Sequence, residues 1–419
     1  MIFQQGRKLR MGVVGLGGRG RGQMGVLLDM DDVDIVAVCD LYADRVAAGQ
    51  KDVYDKRGTT PFGTQDYREL VARDDLEAVM VTTSWTTHAL VAVAAMQAGK
   101  HVAMEVGGAS SLDECWSLVR TSQATGKSCM MLENCCYGKV EMQVLNMVKK
   151  GLFGELVHCQ GGYEHDLREE IGMGDINRHY RQENFAHRNG ELYPTHELGP
   201  IAKLLELNRG NRMTHLTSMA SKARGMREWT AKHRPEDPVS RIEFREGDIV
   251  TTMIQCANGE TILLTHDCSL PRPYSRGGRV QGTRGLWMED NASVFIEGLS
   301  PEDKNSWTHG IWEPLANYYE AYGHPLWKAY EDFGLRGGHD GMDYLVLRAF
   351  VESVQKGQET PIDVYDTASW MAITCLSEQS IAMGSAPVAI PDFTDGRWIG
   401  RTPAPKSVYS LDGVYDELF

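Results

Sequence analysis

The feature that most constrains the fold is the stretch of residues 10–40, which runs from a short apolar segment through a glycine-rich turn to an acid. The turn reads Gly-Leu-Gly-Gly-Arg-Gly at residues 15–20, and an amphipathic segment follows it. A second apolar run, residues 35–39, then ends at Asp40. A strand, a G-x-G-x-x-G turn, a helix, a strand and an acid at these offsets are typical of a Rossmann unit that binds a dinucleotide.

Each part of this stretch has a separate physical role. Gly15 permits the tight turn, Gly17 lets the backbone approach a pyrophosphate, and Gly20 lets the helix pack closely on the strand. The N-terminus of the helix offers N–H groups and the positive end of its dipole to the phosphates. Asp40 can accept hydrogen bonds from both hydroxyls of an adenosine ribose, and its charge would repel a 2′-phosphate. The pattern therefore predicts NAD, rather than NADP, as the cofactor.

Length and charge limit the remaining possibilities. A chain of 419 residues is long enough for two domains with ample cores. Its formal net charge of −14 argues against nucleic acid or an anionic membrane surface as a partner. The first ten residues lack the apolar segment of a signal peptide, and no apolar run reaches membrane-spanning length, so we expect a cytoplasmic protein.

The cysteines and histidines do not indicate a metal or a disulfide. Nine cysteines are scattered along the chain without a C-x-x-C spacing, and the adjacent Cys135-Cys136 pair is interpreted as packing at a strand end. His165, His179 and His187 lie near acids, but their irregular spacing fits no familiar metal site. We therefore predict no metal site and no disulfide.

An alternation of strands and helices continues after Asp40. Repeated strand–helix units of this spacing predict a doubly wound parallel sheet with helices on both faces. The predicted helices are residues 43–54, 87–99 and 111–126, and the predicted strands are residues 78–85, 101–105 and 127–134.

Three residues stand at the predicted carboxyl ends of neighbouring strands. These are Trp85, Glu105 and Asn134. In open parallel sheets the ligand lies beyond the carboxyl ends of the strands. Their shared location, more than any one residue type, predicts that they face a ligand.

The pattern changes from about residue 151. Several stretches alternate apolar with polar residues, which predicts an open, largely antiparallel sheet with one face covered. The polar stretch 166–192 is long for a simple connection and is a functional candidate. Residues 269–340 have few clear periods, and their elements are not predicted. The strand-like stretches are residues 154–165, 213–221, 240–246, 248–257 and 260–268.

The domain organisation follows from these changes. We predict an NAD-binding Rossmann domain over residues 1–137 and a substrate-binding open-sheet domain over residues 138–386. Two late helices, residues 342–355 and 365–383, are expected to pack back at the junction. Residues 387–419 are predicted to form an extended C-terminal tail.

Several short motifs carry a family resemblance. Together with the glycine turn they resemble the Gfo/Idh/MocA oxidoreductase superfamily, and more narrowly glycoside hydrolase family 109, the NAD-dependent alpha-N-acetylgalactosaminidases. The similarity spans nearly the whole chain, and it implies a Rossmann domain, an open-faced α/β domain and a nicotinamide between them. The motifs are WTTH (85–88), EV (105–106), LENCCYG (132–138), YPTH (193–196), HPLWK (324–328) and GGHDGMDY (337–344).

The resemblance also implies roles for individual residues. Gly18 and Arg19 would contact the dinucleotide diphosphate, and Asp40 the ribose. The rest of the cofactor would be lined by Trp85, His88, Glu105, Val106, Asn134 and Arg181. The sugar pocket would be lined by Tyr163, Tyr193, Pro194, Thr195, His196 and Tyr274.

One departure from the wider superfamily favours the hydrolase branch. Typical sugar and inositol dehydrogenases have Glu-Lys-Pro where this chain has Glu105-Val106-Gly107, and valine cannot carry out acid–base chemistry. The proton must pass elsewhere, and Tyr193 with His196 is the obvious pair. Two departures from the narrower family are Gly18, where asparagine is typical, and Glu197, where glycine is typical. An added carboxylate at 197 could change the sugar that is accepted.

The implied reaction uses NAD without net redox change. A hydride leaves carbon 3 of the sugar, the resulting ketone acidifies the hydrogen on carbon 2, and loss of that proton expels the group on carbon 1. Water then adds, and the hydride returns. Imidazole exchanges protons near neutrality, so His196 is the candidate base for the carbon-3 hydroxyl. Tyr193 would share a face with it in a helix. A phenol needs a nearby cation to act as a base, and Arg181 is the candidate, although the two roles are exchangeable.

Two other functions compete with this one. The first is an NAD-dependent sugar or polyol dehydrogenase in which Tyr193 and His196 replace the missing lysine. The second is a non-catalytic NAD-binding regulator, against which the cluster of polar motifs argues. The substrate is expected to be a small carbohydrate, and the sugar epimer, the anomer and the need for an N-acetyl group stay open. A homo-oligomer, a dimer or larger, is expected because the superfamily often dimerises through its open sheet.

Overall fold

The structure, a computed structural model, describes residues 6–419. The chain divides into two compact units, each built from separate segments. Unit 1 comprises the chain up to Met142, then His324–Ala368 and Thr402–Phe419. Unit 2 comprises Gln143–Gly323 and Ser369–Arg401. The units are therefore less contiguous than the ranges 1–137, 138–386 and 387–419 that the sequence pattern suggests.

Unit 1 contains a six-stranded sheet in the order β3-β2-β1-β4-β5-β6, and all of its strand pairs are parallel. Its central strands are almost fully buried, as expected for a parallel sheet covered on both faces. The predicted doubly wound parallel sheet is confirmed. The strands are β1 (Leu9–Val14), β2 (Val33–Cys39), β3 (Phe62–Thr64), β4 (Ala78–Val81), β5 (His101–Met104) and β6 (Cys129–Met131).

Unit 2 contains a nine-stranded sheet in the order β16-β13-β12-β11-β7-β10-β9-β8-β17. Only β7 and β10 pair in parallel, so the predicted, largely antiparallel sheet is confirmed. A separate two-stranded ribbon pairs β14 with β15. The strands are β7 (Leu156–Glu164), β8 (Met213–Ala220), β9 (Val250–Cys256), β10 (Thr261–Asp267), β11 (Arg279–Gly282), β12 (Gly285–Met288), β13 (Ser293–Ile296), β14 (Glu302–Asp303), β15 (His309–Gly310), β16 (Glu313–Pro314) and β17 (Val388–Ala389).

Local sequence sets many helix ends. The Ser111 hydroxyl accepts a hydrogen bond from the Glu114 N–H and so caps one helix, which ends at Gly126 in the left-handed conformation. The helices of the described residues are α1 (Gly18–Leu28), α2 (Ala43–Arg57), α3 (Tyr67–Val71), α4 (Trp85–Gln97), α5 (Leu112–Thr125), α6 (Lys139–Lys149), α7 (Arg168–Gly172), α8 (Gly174–Asn177), α9 (Arg181–His187), α10 (Thr195–Leu204), α11 (Gly225–His233), α12 (Tyr319–Tyr322), α13 (Pro325–Phe333), α14 (Met342–Lys356) and α15 (Val364–Ala382). None of these helices is both long and apolar enough to cross a bilayer.

The predicted strand at residues 240–246 is wrong. Pro238–Arg241 forms a 3₁₀ turn, and the N–H groups of Arg245 and Glu246 both bond to the carbonyl of Phe185 instead of joining a ladder. The alternation of buried and exposed residues in this segment comes from a loop packed on one side, which imitates the period of a strand.

Three other predictions need correction in detail. Trp85 does not end a strand, because β4 stops at Val81 and Trp85 is the first residue of α4. The strand predicted to reach residue 134 ends at Met131. The tail from residue 387 is not wholly extended, because it contains 3₁₀ turns at Arg397–Ile399 and Asp416–Leu418. Its strand β17 pairs with β8 at the edge of the large sheet.

Candidate active site

The glycine turn after β1 has one packed face and one open face. Gly15 has a φ of +100°, and a Cβ there would overlap the carbonyl of Thr82. A Cβ at Gly20 would overlap the carbonyl oxygen of Gly15, so the close helix–strand packing expected of Gly20 is present. Around Gly18, by contrast, no described atom would lie within 4 Å of an added Cβ. The turn is therefore closed toward the sheet and open where α1 begins.

The N-terminus of α1 suits an anion. Gly17 stands at its cap position, and no side chain of the described residues caps it. A helix start of this kind presents free N–H groups and a positive dipole end, which are the features that bind phosphates.

Asp40 follows the end of β2 and is fixed by the backbone. One carboxylate oxygen accepts from the Leu16 N–H at 2.7 Å, and the other accepts from the Tyr42 N–H at 3.0 Å. A carboxylate offers about four lone-pair sites, so two bonds orient it without using all of its acceptor capacity. The side chain thus fits the predicted hydrogen bonds to ribose hydroxyls.

Arg19 belongs to a hydrogen-bond network that includes two other residues predicted near the cofactor, Glu105 and Asn134. Its Nε donates to Glu105 at 2.8 Å, and its two terminal nitrogens donate to the carboxylate of Asp343 at 2.7 and 2.9 Å. The same carboxylate accepts from the Asn134 amide at 2.9 Å. Arg19, Glu105 and Asn134 are therefore joined in one network within unit 1.

Asp343, which holds this network together, is absent from the sequence-based set of site residues. It is buried in the first turn of α14, and His339 Nδ1 lies 2.9 Å from its carboxylate. Burial opposes ionisation, but hydrogen bonds from His339 and Arg19 prevail and lower the pKa of Asp343. No local pattern could identify the pairing, because Arg19 and Asp343 are 324 positions apart.

Trp85, His88 and Val106 form a buried layer beside the network. The Trp85 indole packs on Gly107, where a Cβ would overlap the ring. His88 Nε2 lies 3.0 Å from the Thr83 carbonyl, and burial lowers the pKa of His88 to about 4. The Val106 N–H donates to Glu105 at 2.9 Å. In this structure these residues support the site from within the fold, and their contact with a cofactor stays a prediction.

Unit 2 gathers five rings that we call the aromatic cluster: Tyr163, His165, Tyr193, His196 and Tyr274. The ring centroids of Tyr163 and Tyr193 are 4.4 Å apart, and His196 lies 5.2 and 4.8 Å from them. Tyr274 meets Tyr163 edge-on at 6.3 Å. The structure therefore brings together all four ring-bearing residues that the resemblance implies for the sugar pocket.

Arg181 supplies the cation that the sequence predicts beside Tyr193. It is buried on α9, and its guanidinium carbon lies 5.0 Å from the Tyr193 ring and 5.7 Å from the Tyr163 ring. Its Nε pairs with Glu170 at 2.7 Å. Burial raises the pKa of Tyr163 despite the opposing effect of Arg181. The buried guanidinium thus lies against the π-faces of both tyrosine rings, where a cation is attracted.

The predicted helical face shared by Tyr193 and His196 is wrong. The helix α10 begins at Thr195, with Pro194 at its cap position, so Tyr193 precedes the helix. The two rings nevertheless meet, because Pro194 itself has helical φ and ψ of −74° and −16°. Thr195 is completely buried. Pro194 and Thr195 therefore set the direction from which Tyr193 and His196 enter the cluster.

His165 is the further member of the cluster that sequence reasoning missed as a site residue. Its Nδ1 lies 3.1 Å from the Tyr163 hydroxyl, and its ring is 5.0 Å from Tyr274. Burial and the charge of Arg181 lower the pKa of His165. The alternation of a strand provides a signal that could have found it, because residues 163 and 165 face the same way along β7 and its continuation.

A group of fully buried acids lies next to the segment that carries Tyr193. Burial raises the pKa of Glu191 to about 8, although the backbone N–H of Tyr193 opposes this rise. Glu246 accepts from the Gly190 N–H at 3.0 Å and faces His266 Nδ1 at 3.2 Å. Burial raises the pKa of Glu246 and lowers that of His266 to about 3. Loss of solvent thus favours neutral forms of all three groups.

Comparison with protein-family models divides the chain into two matches. Residues 9–133 match the oxidoreductase family with an NAD-binding Rossmann fold. Residues 137–400 match the C-terminal domain of glycosyl hydrolase 109. These two matches confirm the family resemblance that the sequence motifs indicate.

Curated relatives agree with these matches over nearly full length. A glycosyl hydrolase family 109 protein of Stenotrophomonas maltophilia is 43% identical, with 99% of this chain and 94% of that protein covered. An alpha-N-acetylgalactosaminidase of Tannerella forsythia is 40% identical, with 94% and 88% covered. Another alpha-N-acetylgalactosaminidase, from Shewanella oneidensis, is 37% identical, with 94% and 87% covered.

Solved structures give the fold. An NAD-binding oxidoreductase from Klebsiella pneumoniae matches with a TM-score of 0.70 at 16% identity, over 92% of this chain and 99% of that one. A levoglucosan dehydrogenase in complex with NADH matches with a TM-score of 0.66 at 17% identity, over 92% and 100%. At this identity the likeness concerns architecture alone. The family matches and the curated relatives are decisive: the chain belongs to glycosyl hydrolase family 109, and is a glycosidase built on an oxidoreductase fold.

Proposed function

We propose that the protein is an NAD-dependent alpha-N-acetylgalactosaminidase that acts by transient oxidation of its sugar at carbon 3. The observation that carries the proposal is the meeting of Tyr193, His196 and Arg181 in unit 2, with ring and guanidinium separations of 4.8 and 5.0 Å. These groups suit proton transfer, whereas most glycosidases use a pair of carboxylates. The activity named for the Tannerella and Shewanella relatives supports the choice of sugar.

The residues of unit 1 fit NAD. The uncapped start of α1 and the open space at Gly18 would receive the diphosphate, and Asp40 would bind the adenosine ribose. When bound, NAD would accept a hydride from sugar carbon 3 and later return it to the same carbon. The proposal therefore assigns the cofactor to unit 1 and the sugar to unit 2.

The chain's own residues would manage the protons. His196 would take the proton of the carbon-3 hydroxyl as that carbon becomes a ketone, and return it at the end. Tyr193, with Arg181 favouring its anionic form, would remove the acidified proton on carbon 2. The electrons of that C–H bond form the C1–C2 double bond as the C1–O bond breaks. The aglycone oxygen leaves with the electrons of the C1–O bond. Water then adds its oxygen to carbon 1, a solvent proton returns to carbon 2, and the proton that the water loses goes to the aglycone oxygen, so the net reaction is hydrolysis.

The test uses the protein as purified. We expect it to contain NAD and to release 4-nitrophenol from 4-nitrophenyl N-acetyl-α-D-galactosaminide with no net change in absorbance at 340 nm. In deuterium oxide, the product sugar should carry deuterium at carbon 2. Substitution His196→Ala should lower turnover by about 10²- to 10⁴-fold, the range for loss of a general acid–base group, while NAD stays bound.

A matched control is His187→Ala, because His187 is exposed on α9 and its Nε2 lies 3.2 Å from the carboxylate of the exposed Glu183. This variant should keep normal turnover. Stoichiometric consumption of added NAD would instead indicate a sugar or polyol dehydrogenase. Hydrolysis without deuterium at carbon 2 would overturn the proposed oxidation.

A further inference from the structure

Glu197, the residue after His196, is a buried carboxylate directed at the large sheet of unit 2. Its side chain is only 2% exposed. It packs over Gly161 of β7, where a Cβ would overlap the Cβ and Cγ of Glu197. Burying a carboxylate is costly unless a partner compensates its charge. Because Gly161 has no side chain, the strand leaves room for the Glu197 side chain against the sheet.

The partner of Glu197 is Arg276. The Arg276 Nε lies 3.7 Å from Glu197 Oε2, and another nitrogen of the same guanidinium lies 3.7 Å from Glu289 Oε1. The side chain of Arg276 is itself only 12% exposed. Arg276 is thus held between two carboxylates, one of which belongs to the helix that also carries His196.

Arg276 in turn stands beside Tyr274. One of its terminal nitrogens is 3.5 Å from the Tyr274 hydroxyl, and its guanidinium carbon is 6.0 Å from the ring centroid. The backbone between them is anchored, because Ser275 exchanges two hydrogen bonds with Glu164 at 2.9 and 3.2 Å. Tyr274 as a whole residue is 48% exposed, so the direction of its ring depends on the groups that it touches.

We propose that Glu197 is a positioning residue that acts through Arg276 to orient Tyr274 as a wall of the sugar pocket. The identification of the pocket rests on the proposed function. The contacts that join Glu197, Arg276 and Tyr274 do not depend on it. Because two carboxylates face Arg276, its charge is compensated, and the wall suits a neutral pyranose better than a sugar acid. Glu197 thereby influences which sugar binds and leaves the proton transfers to Tyr193 and His196.

The experiment compares Glu197→Gln and Arg276→Gln with the wild type. Both variants should raise KM for 4-nitrophenyl N-acetyl-α-D-galactosaminide by about tenfold, the size expected for one interaction with a charged group, with kcat changed less than about twofold. Combining either with Tyr274→Ala should add little to the effect of Tyr274→Ala alone. The control is Glu206→Gln, which removes an exposed carboxylate paired with Lys149 and should leave KM unchanged.

A second readout does not need activity. Hydrogen exchange in the peptide covering residues 271–278 should rise at least about twofold in Glu197→Gln and in Arg276→Gln, and not in Glu206→Gln. If the wild type lacks glycosidase activity, the proposed function fails while the exchange result still decides the role of Glu197. Unchanged exchange and KM in both variants would overturn the inference. A loss of kcat with unchanged KM would also overturn it, because Glu197 would then act with His196. If Glu197→Gln does not fold, Arg276→Gln decides.

Discussion

At the scale of single residues, the buried Glu191 makes the stability of the fold depend on pH. Burial raises its pKa to about 8 in the folded chain, above the ordinary value of 4.5. Between these two values the folded protein holds a proton that the unfolded protein releases. The stability contributed by Glu191 therefore declines as pH rises from about 4.5 to about 8, and it is constant above that range.

We expect Glu191→Gln to remove this dependence, because a carboxamide mimics the protonated acid and does not titrate. The free energy of unfolding of the variant, relative to the wild type, should rise between pH 5 and pH 8 by at most about 1.4 kcal/mol per pH unit. Urea unfolding followed by tryptophan fluorescence measures this difference. Glu206→Gln, at an exposed site, should show no such trend. A difference that stays constant with pH would mean that Glu191 is ionised in the fold.

Sequence alone predicted those residues whose role depends on local chemistry. The packing of Gly20 and the nearness of Arg181 to Tyr193 are examples. It missed Asp343 because the partner that gives it meaning, Arg19, lies at the other end of the chain. The sequence showed Glu197 only as a departure from the glycine typical of the family, because its contact with Arg276 exists only in the folded chain.

At the level of elements, the start of α14 organises the network in unit 1. Asp343 receives two hydrogen bonds from Arg19 and one from Asn134, and each of these donors is predicted to line the cofactor. An asparagine at 343 would keep the shape but lose the charge that pairs with the guanidinium.

We expect Asp343→Asn to lower the free energy of unfolding by about 1–3 kcal/mol and to reduce the NAD that copurifies, since Arg19 would lose its bidentate partner. Unfolding by urea and the absorbance ratio at 260 and 280 nm measure the two effects. Asp340→Asn, at an exposed site in the preceding turn, is the matched control and should change neither. Full NAD content in Asp343→Asn would remove Asp343 from the cofactor site.

Elements with a long and regular period were predictable. The helices α2, α5, α14 and α15 lie within a few residues of their predicted bounds. The region 269–340 was not, because its strands have only two to four residues and its helices are short. Such segments are too brief for a period of 2 or 3.6 to emerge.

On the scale of the whole molecule, unit 1 depends on its later segments. The Tyr137 hydroxyl donates to the Tyr409 carbonyl at 2.8 Å, and the Trp327 indole donates to the Tyr137 carbonyl at 2.9 Å. Arg348 forms a buried ion pair with Asp32 at 2.7 Å. These contacts link the first 142 residues to both of the segments that complete the unit.

A fragment that ends at residue 142 should therefore lack a cooperative unfolding transition, because it exposes surfaces that 324–368 and 402–419 cover and leaves Asp32 without its buried partner. Circular dichroism during heating tests this expectation. Joining the three segments of unit 1 through Gly/Ser linkers should restore a single transition. A cooperative transition in the shorter fragment would show that the later segments are dispensable.

The bond between Tyr137 and Tyr409 has a consequence for biosynthesis. A ribosome makes residue 137 long before residue 409, so this bond cannot form until the residues between them have been synthesised. Unit 1 is thus completed only after the Gln143–Gly323 segment of unit 2 has been translated.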